Sequence, residues 1–377
     1  MSIQLFVPTF AIDDCLAEIR ECLERGWTGL GFKTVEIEKR WCEYTGLPHA
    51  HFLNSATAGL HLALNIYKDE FGWQDGDEIV TTPLTFVSSN HSILYERLRP
   101  VFADVDEYLC LDPCDVAQRI SPRTRAVIFV GLGGNTGRFE EIRALCAERD
   151  LKLILDAAHM AGTRLNGRTP AGDATVYSFQ AVKNLPTADA GMICFEDARL
   201  DAIARKKSWL GISKDTYTRT HQSGTYKWLY DVEYVGFKYH GNSIMAAIAL
   251  AQLPRLDQDN ARRREIAQRY DAGFRGQDTI ATIPMAPHCT PSRHLYQIAV
   301  ENRDELMVRL NENGIFPGVH YRINTAYRMF SDGQAPCPNA ERMSERIVSL
   351  PLHLRLTDAD VDRVVDNVIR FSLSQAA

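Results

Sequence analysis

The segment YSFQAVKNLPTADAGM, residues 177–192, decides how this chain is read. It leaves a short apolar strand, ATVYSF (174–179), passes through a loop and enters a second apolar run, GMICF (191–195). Lys183 stands in that loop and is the only lysine between Lys152 and Lys206. A single lysine is most often a solvated surface residue. Here its neighbours are Phe179, Ala181, Val182 and Leu185. An amine in a partly dry setting gives up its proton more readily and becomes a nucleophile.

Outward from this segment, strand-like and helix-like stretches alternate. HAHFL (49–53), EIVTTP (78–83), PVFAD (100–104), AVIFV (126–130) and LKLIL (151–155) read as strands. Between them TAGLHLALNIY (57–67), FVSSNHSILYE (86–96) and FEEIRALCAERD (139–150) carry helical spacing. This alternation predicts an α/β fold: a mostly parallel sheet of about seven strands between helices. From about residue 246 the texture changes. Residues 245–274 read as one long helix kinked at Pro254, because proline breaks the backbone ladder. HLYQIAV (294–300), a helix DELMVRLNENG, a strand-like FPGVHY, a helix NAERMSERIVSL and a final amphipathic helix follow. The expected division is a large α/β domain over 1–245, with the N-terminal segment, and a small α+β domain over 246–377.

The 377 residues are 45% hydrophobic and 24% charged, with a net charge of −6. That balance argues against a nucleic-acid partner, which usually meets a basic surface. Nine cysteines are scattered with no CxxC pair and no zinc-ligand spacing, so no metal site is expected. Free thiols fit a reducing compartment, and no apolar run is long enough to span a membrane. A cytoplasmic protein without membrane attachment is the expectation.

Ligands in open α/β sheets bind beyond the carboxyl ends of the strands. Ser55, Ala56 and Thr57 follow HAHFL and open a helix, where free N–H groups can cup a phosphate; a plain N-cap is the competing reading. Asp156 ends LKLILD; it either caps a helix AAHMAG or is an anion held for a cationic ligand group. His159 follows three residues later. Phe86 either stacks on a flat ligand or, more often for phenylalanine, belongs to the core. GLGGNTG (131–137) imitates a dinucleotide loop, but Thr136 replaces the glycine required there. A nucleophilic lysine, a buried carboxylate, a phosphate cup and an aromatic plate are together the parts that hold pyridoxal 5′-phosphate (PLP).

On these motifs the chain resembles the PLP-dependent sugar aminotransferases of the DegT/StrS group, of fold-type I architecture. The likeness spans GWTGLGFKTVEIEKRWCEYTG (26–46), NSATAGLHLAL (54–64), WQDGDEIVTTPLTFVSS (73–89), LILDAAHMAG, YSFQAVKNL, GFKYHGNSIMAAIALAQL (236–253), GVHY (318–321) and PNAERMSERIVSLPLH (338–353). The order of these motifs is specific where any one alone is not. The resemblance implies that Lys183 is the Schiff-base lysine and proton shuttle, that Asp156 pairs with the pyridine nitrogen, and that Phe86 stacks on the ring. It implies that Ala56, Thr57 and Ser178 cup the phosphate and that His159 faces the ring's hydroxyl side. Lys238 is implied to reach the phosphate of a neighbouring subunit, hence a homodimer with shared sites, and His320 and Tyr321 to lie near the substrate. Ala56 stands where the family has glycine, Ala190-Gly191-Met192 where it has G-G-M, and His240-Gly241 depart from its K-Y-N segment.

The implied reaction is ping-pong transfer of an amino group, with L-glutamate the expected donor, to a keto sugar linked to a nucleotide diphosphate. Alternatives are a ketocyclitol aminotransferase, a sugar dehydratase and a non-catalytic PLP- or sugar-binding regulator. The related dehydratases carry histidine at the lysine position, so Lys183 favours transamination. The sugar itself is expected to be chosen by loops around residues 205–235 and 318–330.

Overall fold

The structure, a computed structural model, describes residues 2–213, 230–331 and 333–376. Its strands are β1 His51–Leu53, β2 Glu78–Thr81, β3 Arg99–Phe102, β4 Thr124–Val130, β5 Lys152–Asp156, β6 Arg164–Leu165, β7 Ala174–Ser178, β8 Gly191–Phe195, β9 Ala281–Thr282, β10 Cys289–Thr290, β11 Tyr296–Ala299 and β12 Ile347–Leu350. Seven of them form one sheet in the order β1-β8-β7-β5-β4-β2-β3. These seven are the strands expected from the apolar runs. β2, β3, β4, β5 and β7 pair in parallel, whereas β8 runs antiparallel to both β7 and β1.

The alternation along β4 shows how the sheet is covered. Val127 and Phe129 enter one core with Trp41, Phe52, Leu155, Tyr177 and Phe179. Ala126, Ile128 and Val130 enter another with Leu60, Leu64, Tyr67, Val176 and Phe195. Side chains two residues apart share a sheet face, so a strand apolar at every position needs helices on both sides. Helix Ala56–Phe71 supplies one cover, ending at Gly72 in the left-handed region (φ 65°) that glycine enters without strain. Helices Ile12–Glu24 and Phe32–Thr45 precede the sheet and were not read from local periodicity. Ala246 and Ala249 of helix Ser243–Gln252 also lie in the first core.

A three-stranded sheet in the order β12-β11-β9 carries a further core of Tyr270, Phe274, Tyr296, Ile298, Val348, Val361, Val364 and Val368, which Ile3 joins from the N-terminus. The long helix expected over 245–274 is Ser243–Gln252 and Leu256–Gly273, joined by a 3-10 turn, Leu253–Arg255, that contains Pro254.

Three local expectations are corrected. NAERMSERIVSL is a helix, Pro338–Arg346, that turns into β12, because its β-branched IVSL end pairs with β11. FPGVHY forms no strand beyond a bridge from Gly318 to Ser349. AAHMAG is a pair of turns, not a helix. Among the described residues no helix is long and apolar enough to cross a membrane.

Candidate active site

The antiparallel return of β8 onto β7 shapes the lysine loop. Phe179 N–H donates to Ala190 O (2.8 Å), Ala181 N–H to Ala188 O (3.0 Å) and Lys183 N–H to Gln180 O (2.8 Å). Fully buried Phe179 and Leu185 anchor the loop on either side of Lys183. Lys183 therefore sits beyond the carboxyl end of β7, five residues past Ser178, rather than on the strand itself.

The loops after β1, β2, β5 and β7 converge on a cavity of about 440 Å³. Of the residues singled out from the sequence, Ala56, Thr57, Phe86, Asp156, His159, Ser178, Lys183, His320 and Tyr321 line it. Lys238 does not: it is exposed, with Nζ 3.4 Å from the centroid of the Trp209 ring.

Asp156 is buried at the end of β5. Its Oδ2 accepts from Ser89 Oγ (2.7 Å) and its Oδ1 from Ala158 N–H (3.1 Å). Burial pushes the carboxyl above its ordinary range, while Ser89, Ala158 and the charge of Lys183 act against that push. A carboxylate so placed favours a protonated nitrogen beside it. Burial lowers the Lys183 amine to about 8, with Asp156 pulling in the opposite direction. At pH 7 such an amine is neutral in about one copy in ten, against roughly one in three thousand for an ordinary lysine.

Ser55 caps helix Ala56–Phe71, its Oγ accepting from Ala58 N–H at 3.1 Å, and Ala56 and Thr57 open the first turn toward the cavity. The cap and the anion cup thus coexist at one helix start. Gly191 makes the approach possible: a Cβ there would lie 2.5 Å from Ser55 C and 2.6 Å from Ala56 N. Phe86 was expected in the core on its residue type alone. It is instead 57% exposed, with its ring 5.9 Å from that of Tyr321 across the cavity wall.

Gly133 N–H donates to His159 Nδ1 (3.2 Å), and the Tyr321 hydroxyl lies 3.2 Å from His159 Nε2. Burial, then the Lys183 charge and His320, hold His159 well below its ordinary pKa. The GLGGNTG stretch that imitated a dinucleotide loop is therefore a 3-10 turn, Leu132–Gly134, bound to an imidazole. His320 Nδ1 lies 2.9 Å from Ser349 Oγ, and burial, with Lys183, depresses its pKa to about 4.

Sequence reasoning passed over Ser89, Phe6 and His294, which also line the cavity. Ser89 was legible as a polar residue on the sheet-facing side of helix Val87–Tyr95. His294 and Phe6, stacked at 5.4 Å and 9°, come from distant parts of the chain and carry no local signal. Of the expected sugar-selecting loops, 318–330 is described, whereas 214–229 of the loop 205–235 lies outside the described residues.

Residues 11–369 match the DegT/DnrJ/EryC1/StrS aminotransferase family. The chain is 36% identical over 367 residues to the spore coat polysaccharide biosynthesis protein SpsC of Bacillus subtilis (strain 168), covering 94% of this chain and 93% of that one. It superposes on the aminotransferase TlmJ of Streptoalloteichus hindustanus with a TM-score of 0.91 and 32% identity over 100% of both chains. Spr1654 of Streptococcus pneumoniae, in its PLP-form, gives a TM-score of 0.89 at 27% identity over 99% of each chain. The chain belongs to the DegT/DnrJ/EryC1/StrS aminotransferase family, and it is an aminotransferase of fold-type I architecture.

Proposed function

We propose that the protein uses PLP to move an amino group from L-glutamate to a keto sugar carried on a nucleotide diphosphate. The observation that carries this reading is the opposition of Lys183 and Asp156 in one cavity: a lysine amine lowered to about 8 facing a buried carboxylate. The residues present fit the cofactor. Asp156 seats a protonated ring nitrogen, the opening turn at Ala56 and Thr57 with Ser178 receives a phosphate, and exposed Phe86 offers a ring face. The PLP- and PMP-forms of Spr1654 support the same cofactor, and the name of SpsC supports a carbohydrate product.

When bound, PLP supplies an electron-withdrawing ring and an aldehyde that carries nitrogen covalently. The chain does the rest. Asp156 keeps the ring nitrogen protonated, and Lys183 Nζ acts first as nucleophile and then as the base and acid that carries a proton. His159, kept neutral by burial, with Tyr321 forms a wall that adds no charge beside Lys183. The exchange divides into two halves: glutamate leaves its nitrogen in the site and departs as the keto acid, and the keto sugar then takes that nitrogen. The site is shared in a homodimer, Lys238 reaching the phosphate of the neighbouring copy, and the protein works in the cytoplasm.

The test is an absorbance spectrum of the purified protein before and after L-glutamate. A long-wavelength imine band that moves to shorter wavelength on adding glutamate supports the reading. A band indifferent to glutamate overturns the donor, and no band even after adding PLP overturns the role of Lys183. Lys183→Ala is expected to keep the fold and lose turnover; near wild-type turnover in that variant sinks the assignment.

A further inference from the structure

The glycine turn 131–134 and the buried polar residues around it set the hydrogen-bonding polarity of two histidines, and one of them has no role so far. Gly133 N–H donates to His159 Nδ1, and Gly133 O accepts the backbone N–H of His294 at 3.1 Å. The two imidazoles lie with centroids 4.3 Å apart. Because His159 Nδ1 accepts, its Nε2 carries the proton and donates to the Tyr321 oxygen at 3.2 Å.

His294 is held the other way round. Its Nδ1 lies 3.1 Å from Asn184 Oδ1. Asn184 has no choice of orientation: its Nδ2 donates to the backbone carbonyl of Ser292 (2.8 Å) and to Asn260 Oδ1 (2.7 Å). Asn260 is fixed in turn, its Nδ2 donating to Ala161 O at 2.9 Å. An amide oxygen only accepts, so the proton sits on His294 Nδ1 and Nε2 is left with a bare lone pair. Among the described residues Nε2 has no protein partner, yet it is not closed off from solvent, and the residue lines the cavity. Burial, with the Lys183 charge next, holds the imidazole well below its ordinary pKa, so the lone pair persists at neutral pH.

We propose that His294 is a substrate-positioning residue whose Nε2 accepts a hydrogen bond from a ring hydroxyl of the sugar. The inference rests on the sugar reading above. Both nitrogens of His159 are engaged, Nδ1 with Gly133 and Nε2 with Tyr321, and His320 Nδ1 is taken by Ser349. A sugar buried here needs acceptors for its hydroxyl protons, and a neutral, rigid acceptor meets that need without an added charge beside Lys183.

The test uses the PLP-loaded protein and a nucleotide-linked sugar whose keto group is replaced by hydroxyl, so that it binds without reacting. Binding is read by calorimetry, and the glutamate half-reaction by absorbance. His294→Phe keeps the ring on Phe6 and removes the acceptor. The expected result is about tenfold weaker analogue binding, the scale of one hydrogen bond in a buried site, and a smaller loss in the glutamate half-reaction than in analogue binding. His294→Gln, which restores a neutral acceptor, is expected to regain part of the affinity. In wild-type protein labelled with ¹⁵N-histidine, His294 Nε2 is expected to resonate as an unprotonated nitrogen and to shift on adding the analogue. This measurement decides the matter should the Phe variant not fold. Equal analogue binding by wild type and His294→Phe, or an Nε2 that carries the proton, overturns the role of His294 alone. A wild-type protein that exchanges nitrogen with glutamate but binds none of a panel of nucleotide-linked sugars overturns the sugar reading and this role with it.

Discussion

Lys183 ties burial to chemistry most directly. Its pKa of about 8 in the folded protein lies below the ordinary 10.5, so between those values the unfolded chain binds more protons than the folded one. Stability of the cofactor-free protein therefore gains a contribution as pH rises from about 8 to about 10.5, and below that window the cost of burying the charge is fully present. Lys183→Met should flatten this part of the profile; an unchanged difference in denaturation midpoint between pH 7.5 and 10 would refute the shift. The same amine should capture added PLP with an apparent midpoint near 8, read by imine absorbance. Ser89 is the second residue at this scale, because it donates to Asp156 Oδ2. Ser89→Ala removes a hydrogen bond to a charged acceptor, so PLP should dissociate roughly tenfold more readily in equilibrium dialysis. Phe86 shows why residue type misleads here: phenylalanine is usually buried, and only its place on a strand-to-helix loop turns the ring into the cavity.

At the level of elements, the meeting of β8 with the start of helix Ala56–Phe71 is the tightest constraint. The backbone of that helix start occupies the space a Cβ of residue 191 would need. Gly191→Ala is expected to cost about 1–3 kcal/mol, as overpacking does, and to weaken PLP binding by displacing the phosphate cup. Urea denaturation of the cofactor-free protein reads the first effect and PLP titration the second; a variant unchanged in both would show that the turn relaxes freely. The main-sheet strands were legible because each is a short apolar run bounded by turn residues. Residues 347–350 were not, because IVSL continues the apolar periodicity of the preceding helix and only pairing with β11 makes it a strand.

On the scale of the whole molecule, Lys238 separates one copy from two. It lies off the cavity of its own chain, against Trp209. If it serves a second copy, neither Lys183→Ala nor Lys238→Ala protein alone has a complete site, but a mixed dimer has one. Co-refolding equal amounts should then recover about a quarter of wild-type activity, the statistical yield of intact sites in a two-fold assembly. No recovery, together with sedimentation as a monomer, would place Lys238 outside the reaction. The division at residue 245 remains our proposal for the domain boundary; in the structure helix Ser243–Gln252 gives Ala246 and Ala249 to the large core, and the third core gathers Ile266 onward with Ile3.

By itself the sequence determined the α/β alternation, the seven strands of the main sheet, the family and nine cavity-lining residues, because each is written in a local pattern: apolar period, helix start, or a motif within a few residues. Tertiary structure alone decided which long-range partners complete the site. Phe6 and His294 join Asp156 and Lys183 around one cavity across more than a hundred positions of chain, and no local period records such a meeting. Protonation was decided there as well. The proton positions on His159 and His294 follow from Gly133, Asn184 and Asn260, and the lowered amine of Lys183 follows from the water that packing excludes.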